Sequence, residues 1–111
     1  EIALRNAQME LTTQNAIMIP FETLELSLEA VELAAKVGKV GNTNALSDAG
    51  VAALTALAAA KAAYYNILIN IKSVSTQAFS DDVLKRSAAL MTQIETIAAA
   101  VETEIKTRLL S

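Results

Sequence analysis

With 111 residues, no histidine and no cysteine, the chain lacks the commonest general base, the commonest metal ligand and any thiolate or disulfide chemistry. Its net charge of -3, carried without a basic cluster, argues against nucleic-acid binding. Hydrophobic residues make up 53% of the chain and aromatic residues only 4%, so the apolar mass is aliphatic and alanine-rich. Only three glycines and one proline interrupt it, and this composition predicts an all-α protein.

The first predicted helix covers residues 2–19 and is followed by Pro20. Proline cannot donate a backbone hydrogen bond, so Pro20 is predicted to end or kink this helix. A second helix is predicted over residues 21–37, where apolar residues recur at helical spacing. The two are expected to be separate helices or one helix kinked at Pro20. Four glutamates share one face, which we interpret as solvated: Glu22, Glu25, Glu29 and Glu32.

A loop is predicted over residues 38–46, with Gly38 at a helix C-cap and with Gly38 and Gly41 able to take positive φ. A long helix is predicted over 48–74, because Ser47 is a good N-cap and Asp48 places a negative charge in the first turn. Although this helix is long enough to cross a membrane, its alanines, Lys61 and asparagines favour a buried helix in a bundle.

A turn is predicted over residues 75–80, followed by a last helix over 81–109 with Ser80 as its N-cap. This helix carries an apolar seam at near-heptad spacing, formed by Leu84, Met91, Ile94, Ala98, Val101 and Ile105. The sequence therefore predicts one helical domain over residues 1–111, built as a bundle of about four helices.

A stripe of small and polar residues runs along one side of the long helix, since about 100° separates successive residues. We call it the α2 stripe, and its members are Asp48, Ala52, Ala56, Ala59, Ala63, Asn66 and Asn70. Small side chains allow a flat ligand or another helix to approach closely, and the two asparagine amides lie one turn apart. The pattern is thus compatible with a ligand groove, but spacing alone favours tight helix packing.

The segment before this helix, residues 41–50, has two interpretations. A ligand-facing loop that leads into a helix N-terminus offers free backbone N–H groups to an anion or polar ligand. An ordinary turn with an N-cap has the same composition, and the residues alone favour this second interpretation.

Three motifs resemble those of the formiminotetrahydrofolate cyclodeaminase and methenyltetrahydrofolate cyclohydrolase family. Residues 41–54 are similar to its Gly-Asn, then Ser-Asp-x-Gly-Val-Ala-Ala signature, residues 66–71 to its Asn-Val-x-Ile-Asn-Leu, and residues 16–20 to its Ala-x-x-Val-Pro. Each motif is weak alone, whereas three in the same order and spacing are fairly specific.

The resemblance implies a helical, dimeric enzyme that acts on a one-carbon tetrahydrofolate derivative. The absence of cysteine fits a cytoplasmic protein, and the absence of histidine argues against a metal site. The resemblance further implies either ammonia loss from the formimino compound or hydrolysis of the methenyl compound. The implied substrate-binding residues are Gly41, Asn42, Asn44, Ser47, Asp48, Asn66 and Asn70. Asp48 is the only carboxylate among them, so it is the candidate for proton transfer, with capping of its own helix as the alternative.

The sequence also departs from the family pattern. The family's glycine-rich amino-terminal segment and the acidic catalytic residue after it have no counterpart among these residues. We therefore expect the chain to be the carboxy-terminal part of a larger cyclodeaminase-like domain, inactive alone. The alternative is a non-catalytic helical interaction or scaffold module that retains the family core.

Overall fold

Three long helices build the whole chain in a computed structural model that describes all 111 residues. Helix α1 covers Ile2–Val40, α2 covers Thr43–Asn70, a short 3₁₀ turn covers Ile71–Ser73, and α3 covers Gln77–Leu110. They pack side by side into a rod of 67 × 19 × 17 Å. The predicted all-α class is confirmed, but the bundle has three helices rather than about four.

Helix α1 continues through Pro20, so the predicted helix boundary at this position is wrong and the alternative of a single helix is confirmed. Proline inside a helix removes one hydrogen bond and typically costs about 3 kcal/mol. Packing offsets this cost, because Ile17, Phe21 and Leu24 on either side of Pro20 are 0–1% exposed. Tertiary burial therefore overrides the local tendency to break.

The connection between α1 and α2 is much shorter than the predicted loop of residues 38–46. Only Gly41 and Asn42 separate the two helices, and Asn42 rather than Ser47 is the N-cap. The Asn42 side-chain oxygen accepts a hydrogen bond from the Ala45 N–H at 3.0 Å. Asparagine caps as well as serine does, and the earlier start buries Leu46. Gly38 lies inside α1, and no glycine has positive φ.

Helix α3 begins at Gln77, so Ser80 is not its N-cap as predicted. Thr76 occupies the cap position without a side-chain cap bond, and Ser80 is buried one turn further on. The cap comes instead from α1, where the Glu10 carboxylate accepts bonds from the Ser75 and Thr76 N–H groups at 3.0 and 3.1 Å. A cap supplied from another helix leaves no local signal in the sequence.

The core consists of two clusters along the rod. The larger surrounds Phe21 and Ile67, and the smaller surrounds Leu46 and Ile105. In α2 the buried positions are mostly alanines, which lets α1 and α3 lie close to it. The predicted seam of α3 is confirmed at five buried positions, Met91, Ile94, Ala98, Val101 and Ile105, while Leu84 is half-buried.

A charged side chain ties two helices together at each end of the rod. At one end Glu10 of α1 holds the start of α3. At the other end Arg108 of α3 donates hydrogen bonds to the carbonyl oxygens of Gly38 and Gly41, where α1 ends. These carbonyls have no partner inside their own helix, so Arg108 acts as a C-cap.

The Glu10 contact predicts a pH-dependent stability. Bonds from the Ser75 N–H, from Gln14 and from Thr76 lower the pKa of Glu10 from 4.5 to about 2. Because the folded pKa is depressed, the contact stabilises the fold above about pH 4.5 and loses its effect as the pH falls toward 2. We expect Glu10→Gln to lower the free energy of unfolding at pH 7, and the difference from the wild type to shrink over this pH range.

Urea denaturation followed by circular dichroism at several pH values measures this difference. Glu25→Gln is the matched control, because Glu25 is exposed and makes no hydrogen bond. A difference between wild type and Glu10→Gln that stays constant from pH 7 to pH 2 would contradict the prediction.

The segment Thr43–Ser73 is long and apolar enough to cross a membrane by length and composition. Core helices of bundles pass the same test, so the expectation that this helix does not cross a membrane stays a prediction.

Candidate functional site

The α2 stripe lies along one flank of the buried side of α2. Its alanines at 56 and 63 are buried against the neighbouring helices, whereas Asp48, Ala52, Ala59, Asn66 and Asn70 are exposed. The predicted alignment of the polar residues is therefore present, and an exposed flank can receive a ligand or another helix.

An open groove of about 270 Å³ runs between α1 and α2 beside this stripe. Helix α3 contributes nothing to it. The floor consists of alanines and the Pro20 ring, and Asn66 stands at one end; the full lining is Ile19, Pro20, Thr23, Ala59, Ala62, Ala63 and Asn66. Small, mostly apolar walls with one convergent amide are what a flat, partly polar ligand requires.

The two asparagines of the stripe differ in their hydrogen bonding. The Asn70 amide nitrogen donates to the Asn66 carbonyl oxygen of its own helix at 2.9 Å, which satisfies part of its capacity locally. The Asn66 side chain is exposed and makes no hydrogen bond within the chain. Asn66 is therefore the amide that is free to bind a ligand at the groove.

The remaining predicted residues lie at the opposite end of α2. Asn42 is engaged as the N-cap, and Gly41 closes the turn with its carbonyl bonded to Arg108. Asn44, Ser47 and Asp48 are exposed and make no side-chain hydrogen bond. A polar cluster thus surrounds the start of α2.

These two groups cannot contact the same atom of a ligand. Asp48 and Asn66 are 18 residues apart on one helix, which at 1.5 Å per residue separates them by about 27 Å. None of the residues lining the groove is titratable. The chain therefore supplies a binding surface at the groove but no acid or base there.

The sequence pointed to the α2 side of the groove and missed its α1 side. Ile19 and Thr23 form that wall, and only the proline motif at residues 16–20 gave a signal for it. Two other grooves also escaped prediction, one of about 350 Å³ between α1 and α3 and one of about 300 Å³ between α2 and α3. No group of three or more metal-ligating carboxylates is present.

A sequence model described as Formiminotransferase-cyclodeaminase matches residues 1–89 of the chain. The chain belongs to this family. The resemblance of the three motifs is thereby confirmed, and so is the assignment to a family of folate one-carbon enzymes with cyclohydrolase and cyclodeaminase members.

Two curated relatives illustrate the range of the family. The chain is 30% identical over 108 residues to a methenyltetrahydrofolate cyclohydrolase of Methylorubrum extorquens, covering 97% of this chain and 52% of the relative. It is 26% identical over 104 residues to a formimidoyltransferase-cyclodeaminase of Rattus norvegicus, covering 94% of this chain and 19% of the relative. The chain thus spans about half the length of the first relative and a fifth of the second.

The fold matches that of a formiminotetrahydrofolate cyclodeaminase from Thermotoga maritima, with a TM-score of 0.88 and 22% sequence identity. The match covers 93% of this chain and 52% of the Thermotoga chain. At this level of identity the comparison establishes the shared helical fold.

Proposed function

We propose that this chain carries the ligand-binding helices of a one-carbon tetrahydrofolate enzyme. The reaction is either ammonia loss from formimino-tetrahydrofolate or hydrolysis of methenyl-tetrahydrofolate. The names of the relatives support both branches, because a cyclohydrolase and several cyclodeaminases are similar over nearly the whole chain.

One observation carries the proposal, namely the groove beside Asn66. Its alanine floor accepts a planar ring, and the free amide provides two donors and one acceptor for the polar edge of that ring. A tetrahydrofolate derivative has such a ring with hydrogen-bonding groups on its edge. Asn70, one turn along, is proposed as a second contact through its carbonyl oxygen.

Both reactions pass through a tetrahedral carbon and require proton transfer at that carbon. The groove has no titratable group, and Asp48 lies about 27 Å from Asn66. We therefore expect these 111 residues to bind the folate without turning it over. The proton donor or acceptor is proposed to come from an acidic residue outside them.

The cluster at the start of α2 is proposed as a second contact region. Asn44, Ser47 and Asp48 have free polar groups there, while Gly41 and Asn42 shape the turn. Proton transfer by Asp48 is the alternative to an acidic residue outside the chain, and it applies only if the reacting carbon binds at this end of α2 rather than at Asn66.

The remaining proposals concern the localisation, oligomeric state and partners of the protein. We propose a cytoplasmic homodimer that binds neither nucleic acid nor membrane and needs no metal. The support is compositional, since the chain is acidic and contains no cysteine and no histidine. A large exposed apolar surface supports the homodimer.

If the folate binds in the groove, replacing Asn66 should lower its affinity. We expect Asn66→Ala to weaken binding of methenyl-tetrahydrofolate about five- to tenfold, the loss of one or two neutral hydrogen bonds. Isothermal titration calorimetry of the 111-residue chain measures the affinity. Because Asn66 is exposed, its removal should leave the unfolding curve unchanged within about 0.5 kcal/mol.

Gln93→Ala is the matched control, because Gln93 is an exposed amide on α3, away from the groove. Equal affinities of wild type and Asn66→Ala would contradict the assignment of the groove. Asn70→Ala distinguishes two roles of the Asn70 amide, contact with the folate and stabilisation of α2. If the folate affinity is unchanged and the free energy of unfolding falls, the amide is structural. In a longer protein that is active, activity assays with formimino- and methenyl-tetrahydrofolate would distinguish the two reactions.

A second candidate is a non-catalytic helical module that keeps the family core. The absence of any titratable side chain from the groove favours it. Lack of binding to either folate by the wild-type chain would favour this module over the enzyme.

A further inference from the structure

Pro20 leaves one backbone carbonyl of α1 without its regular partner. In an α-helix each carbonyl oxygen accepts a hydrogen bond from the N–H group four residues further on. Pro20 lies inside α1 and has no N–H, so the Ala16 carbonyl oxygen has no such donor. Ala16 itself is exposed. Helix α1 therefore presents a hydrogen-bond acceptor on its surface well before its end.

The neighbouring hydroxyls do not replace the missing donor. Threonine and serine side chains inside a helix often donate to a carbonyl one turn back. The Thr13 hydroxyl donates to the Met9 carbonyl oxygen at 2.9 Å, and the Thr23 hydroxyl donates to the Ile19 carbonyl oxygen at 3.4 Å. Both hydroxyls are thus directed at other carbonyls, which leaves the Ala16 oxygen available to a ligand.

The free carbonyl lies at the Asn66 end of the groove between α1 and α2. A helix carbonyl points along the helix toward the residue four positions on, so the Ala16 oxygen points toward Pro20, which lines this groove. A two-residue turn connects α1 and α2, so the two helices are antiparallel, and lower residue numbers of α1 lie beside higher numbers of α2. Asn66 has the highest number in the lining and therefore stands at the end nearer to Ala16.

The two groups offer a ligand complementary hydrogen bonds from two helices. A carbonyl oxygen can only accept, whereas the amide nitrogen of Asn66 donates. No ionisable side chain lines the groove, so a neutral ring with a donor and an acceptor on one edge suits it better than an ion does. Proline in a helix interior is destabilising, and departures from local rules that persist in a native fold concentrate at functional sites.

We propose that Pro20 is a specificity-determining residue, because it frees the Ala16 carbonyl oxygen to accept a hydrogen bond from an amino group on the ligand ring. A carbonyl oxygen on the same edge of that ring accepts from the Asn66 amide. The pterin ring of a tetrahydrofolate derivative has both groups on the edge of its pyrimidine ring. The inference rests on the folate binding proposed above. It adds a requirement for a ring donor, which Asn66 alone does not impose because its amide can donate or accept.

Calorimetric titration with two ligands tests this acceptor. The probes are methenyl-tetrahydrofolate and its analogue in which a methyl group replaces the amino group of the pyrimidine ring. We expect the wild-type chain to bind the amino ligand about five- to tenfold more tightly than the methyl analogue, as the loss of one neutral hydrogen bond predicts. Pro20→Val keeps a side chain of similar bulk and restores the N–H, so it should reduce this preference to about twofold or less.

Ile19→Ala is the matched control, because Ile19 lines the same wall and its replacement leaves the Ala16 carbonyl free. It should weaken the binding of both ligands and keep the preference for the amino ligand. Thermal unfolding gives a second readout, since the restored helix bond should raise the Tm of Pro20→Val by about 4 °C or more. A variant that is more stable and less selective distinguishes this role of Pro20 from a structural one.

The wild-type chain allows a test without substitution. In isotope-labelled protein the carbonyl carbon resonance of Ala16 should shift when methenyl-tetrahydrofolate is added, whereas that of Ala30, exposed on α1 two turns beyond Thr23, should not. Binding that leaves the Ala16 resonance unshifted, or an equal ligand preference in the wild type and Pro20→Val, would overturn the role of Pro20 and leave the folate proposal intact. Failure of the wild-type chain to bind either ligand would overturn both.

Discussion

Replacing Ile105 with alanine is expected to lower the free energy of unfolding by about 2–5 kcal/mol. Ile105 of α3 is 7% exposed, with its side chain against Gly38 of α1 and Gly50 of α2. A Cβ at either glycine would lie 3.5 Å from the isoleucine side chain, so the three helices meet here at ordinary contact distance. Glycines have no side chain to move into the space that a truncated residue leaves, so the cavity stays open.

Urea denaturation followed by circular dichroism measures the effect. The control is Leu109→Ala, which removes a similar volume one turn further along α3 at a position that is 46% exposed. It should cost about 0.5 kcal/mol or less. Equal losses in the two variants would show that Ile105 does not fill the notch between the glycines.

Gly41→Ala is expected to destabilise the chain by about 1–3 kcal/mol, although the Gly41 backbone has an ordinary extended conformation. The reason is space. A Cβ at Gly41 would lie 2.8 Å from both the Val37 carbonyl oxygen and the Ala45 Cβ, so the two-residue turn between α1 and α2 would have to shift. Displacing this turn also disturbs the hydrogen bond from Arg108 to the Gly41 carbonyl oxygen.

Gly50→Ala is the matched control with an effect of opposite sign. Gly50 lies inside α2, and its added Cβ would be at ordinary contact distance from Ile105. Alanine in a helix interior is favoured over glycine, so a gain of about 0.5–1 kcal/mol is expected. Thermal and urea unfolding of both variants provide the comparison, and a loss of stability in Gly50→Ala as large as that in Gly41→Ala would contradict the spatial argument.

Periodicity predicted those features that depend on one helix alone. The seam around Met91 and Ile94, the alignment of Asp48 with Asn66, and the all-helical class follow from the spacing of residue types. These features survive because burial of one side of a helix imposes its own period on the sequence. Family membership followed from motifs, each of which lies within a short segment.

The misassigned features depend on contacts between helices. Pro20 was expected to end or kink a helix because the local rule does not include the packing of Phe21 and Leu24 of α1 against the two other helices. Ser80 was expected to cap α3 because no local pattern shows that Glu10, about 65 residues earlier, supplies the cap. The groove was half-predicted for the same reason, since its α1 wall meets α2 only after the chain reverses at Gly41.

The contact made by Glu10 has a consequence for the beginning of α1. Every residue from 1 to 9 is exposed, and Glu10 is the first residue of the helix that is not. This two-turn arm is too short to be helical by itself in water, and it persists because it extends a helix that has already nucleated. If Glu10 were released from Ser75, fraying of α1 would no longer be confined to the arm. It would extend to Ile17, the first fully buried residue of the helix.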